Sequence, residues 1–142
     1  MYRNRVKAVI DRLCAFAALC VLWPLLLLLS AVGAVLMRGN PLFVQTRIGK
    51  DEKPFRLVKF RSMTDRRDGR GALLPDAQRL TRYGRFIRKT SLDELPELIN
   101  ILRGEMSFVG PRPLLPEYLP YYFPRERMRH SVRPGLTGLA QI

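Results

Sequence analysis

The feature that most constrains this chain is a stretch without a single charge, from Leu13 to Met37, set between two basic flanks. As a straight helix it would rise roughly 38 Å, more than a bilayer core of about 30 Å. Arg3, Arg5, Lys7 and Arg12 precede it, and Arg38, Arg47, Lys50, Lys53, Arg56 and Lys59 follow it. Both flanks favour the cytoplasmic side, so a simple span leaves one of them misplaced. Pro24 divides the run into Leu13–Trp23 and Leu25–Met37, and each half rises only roughly 16–20 Å. A helix that enters, bends at Pro24 and leaves by the same face satisfies both flanks. True spans tolerate proline, so this expectation rests on the proline and the symmetric charge together. A secretory signal fits less well. Ala31-Val32-Gly33 resembles a cleavage site, but the apolar core is long for that role and basic residues follow at once.

The charge balance is lopsided throughout, with 25 Lys and Arg against 12 Asp and Glu, a net +13. The 47% apolar fraction excludes a wholly disordered basic tail. Such charge admits a nucleic-acid binder, or an adaptor that holds anionic lipid through a basic face. The apolar run and the lack of a recognisable nucleic-acid module argue against the first. Cys14 and Cys20 both lie inside the run, where they read as small apolar residues of a membrane helix. Two thiols and one histidine supply neither a disulfide framework nor a zinc site.

The remaining chain reads as mostly helical with a small β-hairpin. Pro41–Ile48 and Phe55–Ser62 are β-rich runs joined by a polar loop. Within the second, Arg56, Val58 and Phe60 share one face, and Leu57, Lys59 and Arg61 most of the other. Thr64–Pro75 is a polar, glycine-containing loop. A helix is predicted over about Asp76–Lys89, with Leu80, Tyr83 and Ile87 on one face and Arg79, Arg82, Arg85 and Arg88 on the other. Leu95, Leu98, Ile99 and Leu102 fall at i, i+3, i+4 and i+7 and predict a second amphipathic helix ending at Gly104. Ser91-Leu92-Asp93-Glu94 fits a capping box, and Pro96 favours a start near Asp93. Acidic residues at a helix start are ordinarily caps, so on spacing alone Asp93 and Glu94 are caps or catalytic groups. Gly110-Pro111-Arg112-Pro113 is stiff, which aims Arg112 either at a phosphate or into a surface turn. Leu114–Phe123, rich in Leu, Tyr and Pro, suits a lipid headgroup layer or a core. His130, among Arg125, Arg127, Arg129 and Arg133, is expected on a solvated or interfacial basic helix. Arg133-Pro134-Gly135 brings turn chemistry near the end.

Several separated motifs carry a family resemblance: Lys59-Phe60-Arg61-Ser62-Met63, Thr90-Ser91-Leu92-Asp93-Glu94-Leu95-Pro96, Asn100, Gly104-Glu105-Met106-Ser107, Val109-Gly110-Pro111-Arg112-Pro113 and Arg133-Pro134-Gly135-Leu136-Thr137-Gly138. In this order they resemble the bacterial sugar transferases, monotopic phosphoglycosyl transferases that begin assembly of lipid-linked glycans, and the similarity runs to Ile142. The resemblance implies a mostly helical fold with a re-entrant membrane helix bent at a proline and amphipathic interfacial helices. It also implies transfer of a sugar phosphate from a UDP-sugar to polyprenol (undecaprenyl) phosphate, giving polyprenol-diphosphate-sugar and UMP, with magnesium. Asp93 matches the nucleophile and Glu94 its acidic partner, together the expected magnesium site; Lys59, Arg88 and Arg112 match positions near the phosphates. The expected location is the cytoplasmic face of the inner membrane, with residues 1–38 as the membrane hairpin, 39–142 as the catalytic body, and no nucleic-acid partner. Two departures stand out. The family often has a serine before the bend proline, where this chain has Trp23, and its members usually continue for several tens of residues past the position of Ile142. A nucleophilic carboxylate must be ionised, and a helix N-terminus beside basic groups is expected to favour the anion.

Overall fold

The computed structural model describes residues 2–138, with side chains from Arg5 to Gly138; the expected end of the body at Ile142 lies outside the described residues. About half of the chain is helical. The first helix, α1, spans Tyr2–Met37 and contains Pro24 without ending there, since a proline removes one backbone donor and neighbouring turns carry the helix on. From Arg5 to Met37 it is long and apolar enough to cross a membrane. Leu13, Phe16, Val21, Trp23, Leu27, Leu28 and Val35 leave more than half their surface uncovered. The bare apolar surface of α1 is compatible with membrane association.

The hairpin follows, with strands β1 (Leu42–Ile48) and β2 (Pro54–Phe60) pairing in a two-stranded antiparallel sheet. Both strands start and end within two residues of the expected runs. Burial along β2 departs from strict alternation: Phe55 and Leu57 are buried, then Phe60 on the opposite face. The reason is that the chain folds into two compact units and β2 serves both.

One unit comprises the chain up to Leu22, Val44–Val58 and everything from Glu97 onward. Its core joins Ala15, Phe55, Leu57, Leu98, Ile101 and Met106, with Ala18, Leu19 and Leu22 packed alongside. Ala15, Ala18, Leu19 and Leu22 recur at helical spacing, so one stripe of α1 is committed to this core. Helix α4 (Glu97–Arg103) faces it with Leu98 and Ile101 while Leu102 is exposed, which corrects the expected apolar face. Gly104 ends α4 at φ +79°, as expected of a glycine stop. Short strands β3 (Ser107–Val109) and β4 (Gly135–Thr137) pair in parallel, an element the sequence pattern did not announce. Gly110 and Gly135 lie back to back there, and a Cβ on either would strike the other's backbone. Between them, a 3-10 turn at Pro116–Tyr121, the short helix α5 (Pro124–Arg127) and a further 3-10 turn at Met128–Ser131 leave Tyr118, Tyr121, Phe123 and Met128 exposed. His130, expected on a solvated or interfacial basic helix, is instead buried within the 3-10 turn. It packs edge-on against Tyr122, with Nδ1 3.7 Å from Glu52.

The other unit comprises Trp23–Phe43 and Lys59–Pro96. Its core is Leu29, Phe60 and Ile87, extended by Leu25, Leu26, Leu42, Tyr83, Leu92 and Leu95. The single helix expected over Asp76–Lys89 is two, α2 (Asp76–Arg79) and α3 (Arg82–Lys89). Leu80 is extended and bridges to Met63, and the Thr81 side chain accepts from Gly84 N as an N-cap. The capping threonine restarts the helix, which propensity across the break conceals. Arg79 thereby leaves the arginine stripe, and Ile87 and Tyr83 pack inward as expected.

Candidate active site

The two adjacent carboxylates lie on a single 3-10 turn, Leu92–Glu94, between α3 and α4. Leu92 and Leu95 on either side pack into the Leu29–Phe60–Ile87 core and fix the turn. Ser91 precedes it at φ +54°, a conformation a serine adopts at a cost of roughly 1–2 kcal/mol. No side-chain capping bond forms at Ser91, so the expected capping box is absent. Asp93 and Glu94 are therefore not the first residues of α4, which begins at Glu97. Ser91 is instead the left-handed residue that ends α3, its N–H donating to the Arg88 carbonyl.

Cations reach this turn from two elements of the same unit. Lys59 on β2 donates from Nζ to Glu94 Oε1 at 3.1 Å, with both side chains largely buried. Arg88 on α3 donates from Nε to Ser62 Oγ at 2.8 Å, and Ser62 is buried. Gly84 permits that seat, because a Cβ there would run into the Ser62 carbonyl. Burial pushes the Asp93 carboxyl above its ordinary value and Glu94 beside it pushes the same way. Lys59, the residue's own backbone N–H and Arg88 oppose the shift without cancelling it. Desolvation outweighs the nearby cations in this balance, and Asp93 lies on a 3-10 turn rather than in the first turn of α4. A desolvated carboxylate is short of hydration and gains from any further cation brought to it.

Of the expected site residues, Lys59, Arg88, Asp93 and Glu94 fall in this unit, and so does Pro24, inside α1. Arg112 belongs to the other unit, exposed, with its carbonyl accepting from Arg129 Nη2 at 2.9 Å. Arg47 on β1 stands close enough that the Arg112 charge, after burial, lowers its basicity. The Arg47 guanidinium donates to Gln45 Oε1 at 2.7 Å and to the Pro113 carbonyl at 3.3 Å, while its Nε is buried without a partner. Glu97 and Glu117 act on Arg47 in the opposite sense to Arg112. In the sequence Arg47 is only one more flanking charge; its place in a strand beside the Pro111-Arg112-Pro113 turn is the signal that marks it. Ser62 and Asn100 were likewise motif letters without a role. Asn100 is fully buried, accepting from Val58 N at 3.1 Å and donating to the Arg56 carbonyl at 2.7 Å and to Glu105 at 2.6 Å.

Among the described residues no three metal-ligating side chains cluster. Magnesium does not need three, since one or two carboxylates serve where substrate phosphates supply the other oxygens. Asp93 and Glu94 are two adjacent carboxylates on one turn, one of them paired with Lys59.

Comparison with known proteins adds a separate line of support. The family described as Bacterial sugar transferase matches residues 2–142. The chain is 50% identical over 137 residues to "Uncharacterized sugar transferase EpsL" of Bacillus subtilis (strain 168), covering 96% of this chain and 68% of that protein. It is 45% identical to a UDP-glucose:undecaprenyl-phosphate glucose-1-phosphate transferase of Caulobacter vibrioides, covering 96% and 53%. It is 37% identical to a UDP-N-acetylgalactosamine-undecaprenyl-phosphate N-acetylgalactosaminephosphotransferase of Aeromonas hydrophila, covering 96% and 34%. The chain thus spans about two thirds of the first relative and about half or less of the other two.

Proposed function

This chain belongs to the bacterial sugar transferase family, and on that premise we propose that it is a phosphoglycosyl transferase moving a sugar 1-phosphate from a UDP-sugar to undecaprenyl phosphate. Relatives named for that reaction support the overall chemistry. The observation that carries the mechanism is the turn Leu92–Glu94, which sets Asp93 beside Glu94 with Lys59 Nζ donating to Glu94 Oε1 at 3.1 Å. In the proposed first step an Asp93 oxygen attacks the sugar-bearing phosphorus, the phosphoanhydride bond breaks, and UMP leaves with the bonding pair. The product is an aspartyl-phosphosugar. In the second step the phosphate oxygen of undecaprenyl phosphate attacks the same phosphorus. The aspartyl bond breaks, Asp93 is restored as a carboxylate, and undecaprenyl-diphosphate-sugar is released.

Two anionic reactants must meet an anionic nucleophile, so catalysis is chiefly positioning and charge compensation. Lys59, held by Glu94, and Arg88, held by Ser62, would offset charge as it moves. Arg112 is proposed as a further phosphate contact, with Arg47 beside it. Asp93 and Glu94 would hold magnesium, which would supply positive charge to offset that of the phosphates. Membrane attachment through α1, re-entrant at Pro24 and opening to the cytoplasmic face of the inner membrane, would hold the body at the depth of the acceptor phosphate. The test is UMP release from a panel of UDP-sugars with undecaprenyl phosphate and magnesium. Wild type should release UMP with at least one sugar and Asp93→Asn with none. A fully active Asn variant would refute the nucleophile, and a wild type inert on every sugar would favour a basic membrane adaptor.

A further inference from the structure

The unit that lacks Asp93 contains a cavity of about 610 Å³ whose wall includes the first turns of α1 and the segment Ser131–Arg133. Among the described residues, five basic side chains line it, Arg5, Lys7, Arg12, Lys50 and Arg133, against one acid, Asp11. Asp11 is already spoken for: Lys7 Nζ donates to it at 2.9 Å and Ser107 Oγ at 2.6 Å, and Lys7 also donates to Ser107. Lys50 lies 3.9 Å from Asp51. Arg5, Arg12 and Arg133 make no ion pair among the described residues. Between these charges the lining is apolar, with Val9, Val109 and Val132. A cavity of basic rim and apolar wall suits an amphiphile whose head is anionic.

Its position in the sequence says which amphiphile. Arg12 is the last charged residue before the uncharged run begins at Leu13. On a helix entering a membrane, basic residues at that point lie at the headgroup layer, where anionic lipids collect. We propose that this cavity holds the phosphate of an anionic phospholipid, with Arg5 and Arg133 as its principal ligands and the valines against its glycerol and upper acyl carbons. Asp11, the only lining carboxylate among the described residues, is tied up with Lys7 and Ser107, so the site is proposed to bind and not to react. The proposal rests on the reading of α1 as a membrane element.

The full chain, purified in neutral detergent, is titrated with phosphatidylglycerol, phosphatidylcholine, undecaprenyl phosphate and inorganic phosphate, and adducts are counted by native mass spectrometry. One phosphatidylglycerol per chain is expected, in preference to phosphatidylcholine and undisplaced by equimolar undecaprenyl phosphate or by inorganic phosphate. The double variant Arg5→Gln/Arg133→Gln should weaken it about 30-fold. Val109→Trp, which fills the cavity without removing charge, should also weaken it, while Arg85→Gln on the exposed side of α3 should not. Thermal melts confirm that each variant is folded. Equal binding of phosphatidylcholine, displacement by undecaprenyl or inorganic phosphate, or full retention by the double variant and by Val109→Trp would each overturn the proposal. Failure of the membrane reading shows separately, as a chain that stays monodisperse in water without detergent.

Discussion

Asn100 offers a sharp test of how the fold holds β2, the strand that carries Lys59 into the site. Its side chain acts as a short piece of neighbouring strand: Oδ1 takes the Val58 N–H and Nδ2 meets the Arg56 carbonyl, so both backbone groups flanking Leu57 are satisfied by one amide. A second Nδ2 bond reaches Glu105. Asn100→Ala removes all three bonds at a fully buried position. Ordinary hydrogen bonds contribute about 0.5–1.5 kcal/mol each, and a backbone group left dry and unpaired costs about 1–3 kcal/mol. With partial relaxation around the smaller side chain, the loss should be about 3–5 kcal/mol. At roughly 2–4 °C per kcal/mol for a chain approaching 150 residues, the melting temperature in detergent should fall by roughly 6–20 °C. Asn100→Asp keeps the acceptor and loses the donors, placing a carboxylate against the Arg56 carbonyl and Glu105; it should be as damaging at neutral pH and partly recover on acidification. A melting temperature of Asn100→Ala within 2 °C of wild type would refute this account of β2.

Other expected outcomes concern charge and topology. The Asp93 carboxyl is raised in the fold, so its contribution to stability is full below the ordinary value of 3.8 and is lost as pH rises through the raised value. Asp93→Asn should therefore be more stable than wild type in neutral-pH melts, with the gap closing on acidification; a helix cap would give the opposite sign at neutral pH. His130 is depressed by burial, with Arg129 and Arg127 adding to that and Glu52 opposing it. Its contribution is present above 6.5 and lost as pH falls through the depressed value, so His130→Gln should flatten the stability profile on the acid side of 6.5. If α1 is re-entrant, cysteines introduced at Asn4 and Asn40 should be equally protected from an impermeant thiol reagent in intact cells. Labelling of one alone would mean a span, and Pro24→Leu should move the population that way.

The local pattern was sufficient where it coincided with one core and failed where two cores shared an element. The uncharged run, the hairpin and the Gly104 stop were legible because hydropathy and glycine chemistry act locally. The split at Leu80–Thr81 was not, because its cause is a bridge to Met63, distant in sequence. The same holds for Leu102, exposed because Asn100 and Ile101 turn inward, and for the parallel pair β3–β4, whose partners are separated by most of the C-terminal segment. At the candidate site the residue types were readable and their electrostatics were not. Basic neighbours suggested an anion at Asp93, but desolvation depends on Leu92 and Leu95 anchoring the turn, which only the fold reveals. His130 was misjudged for a related reason, since its arginine-rich neighbours in sequence hid the pocket formed by Tyr122 and Glu52.

The central claim is a covalent step at Asp93, and the most direct measurement is the mass of the protein after one half-reaction. The full chain is incubated with its UDP-sugar and magnesium in the absence of undecaprenyl phosphate, quenched in acid, and measured intact and after proteolysis. The account predicts a gain equal to one phosphosugar, confined to the peptide containing Asp93, discharged on adding undecaprenyl phosphate and absent from Asp93→Asn. UMP formation that depends strictly on acceptor, with no mass gain on a protein that completes the full reaction, would contradict it and indicate direct transfer between the two substrates.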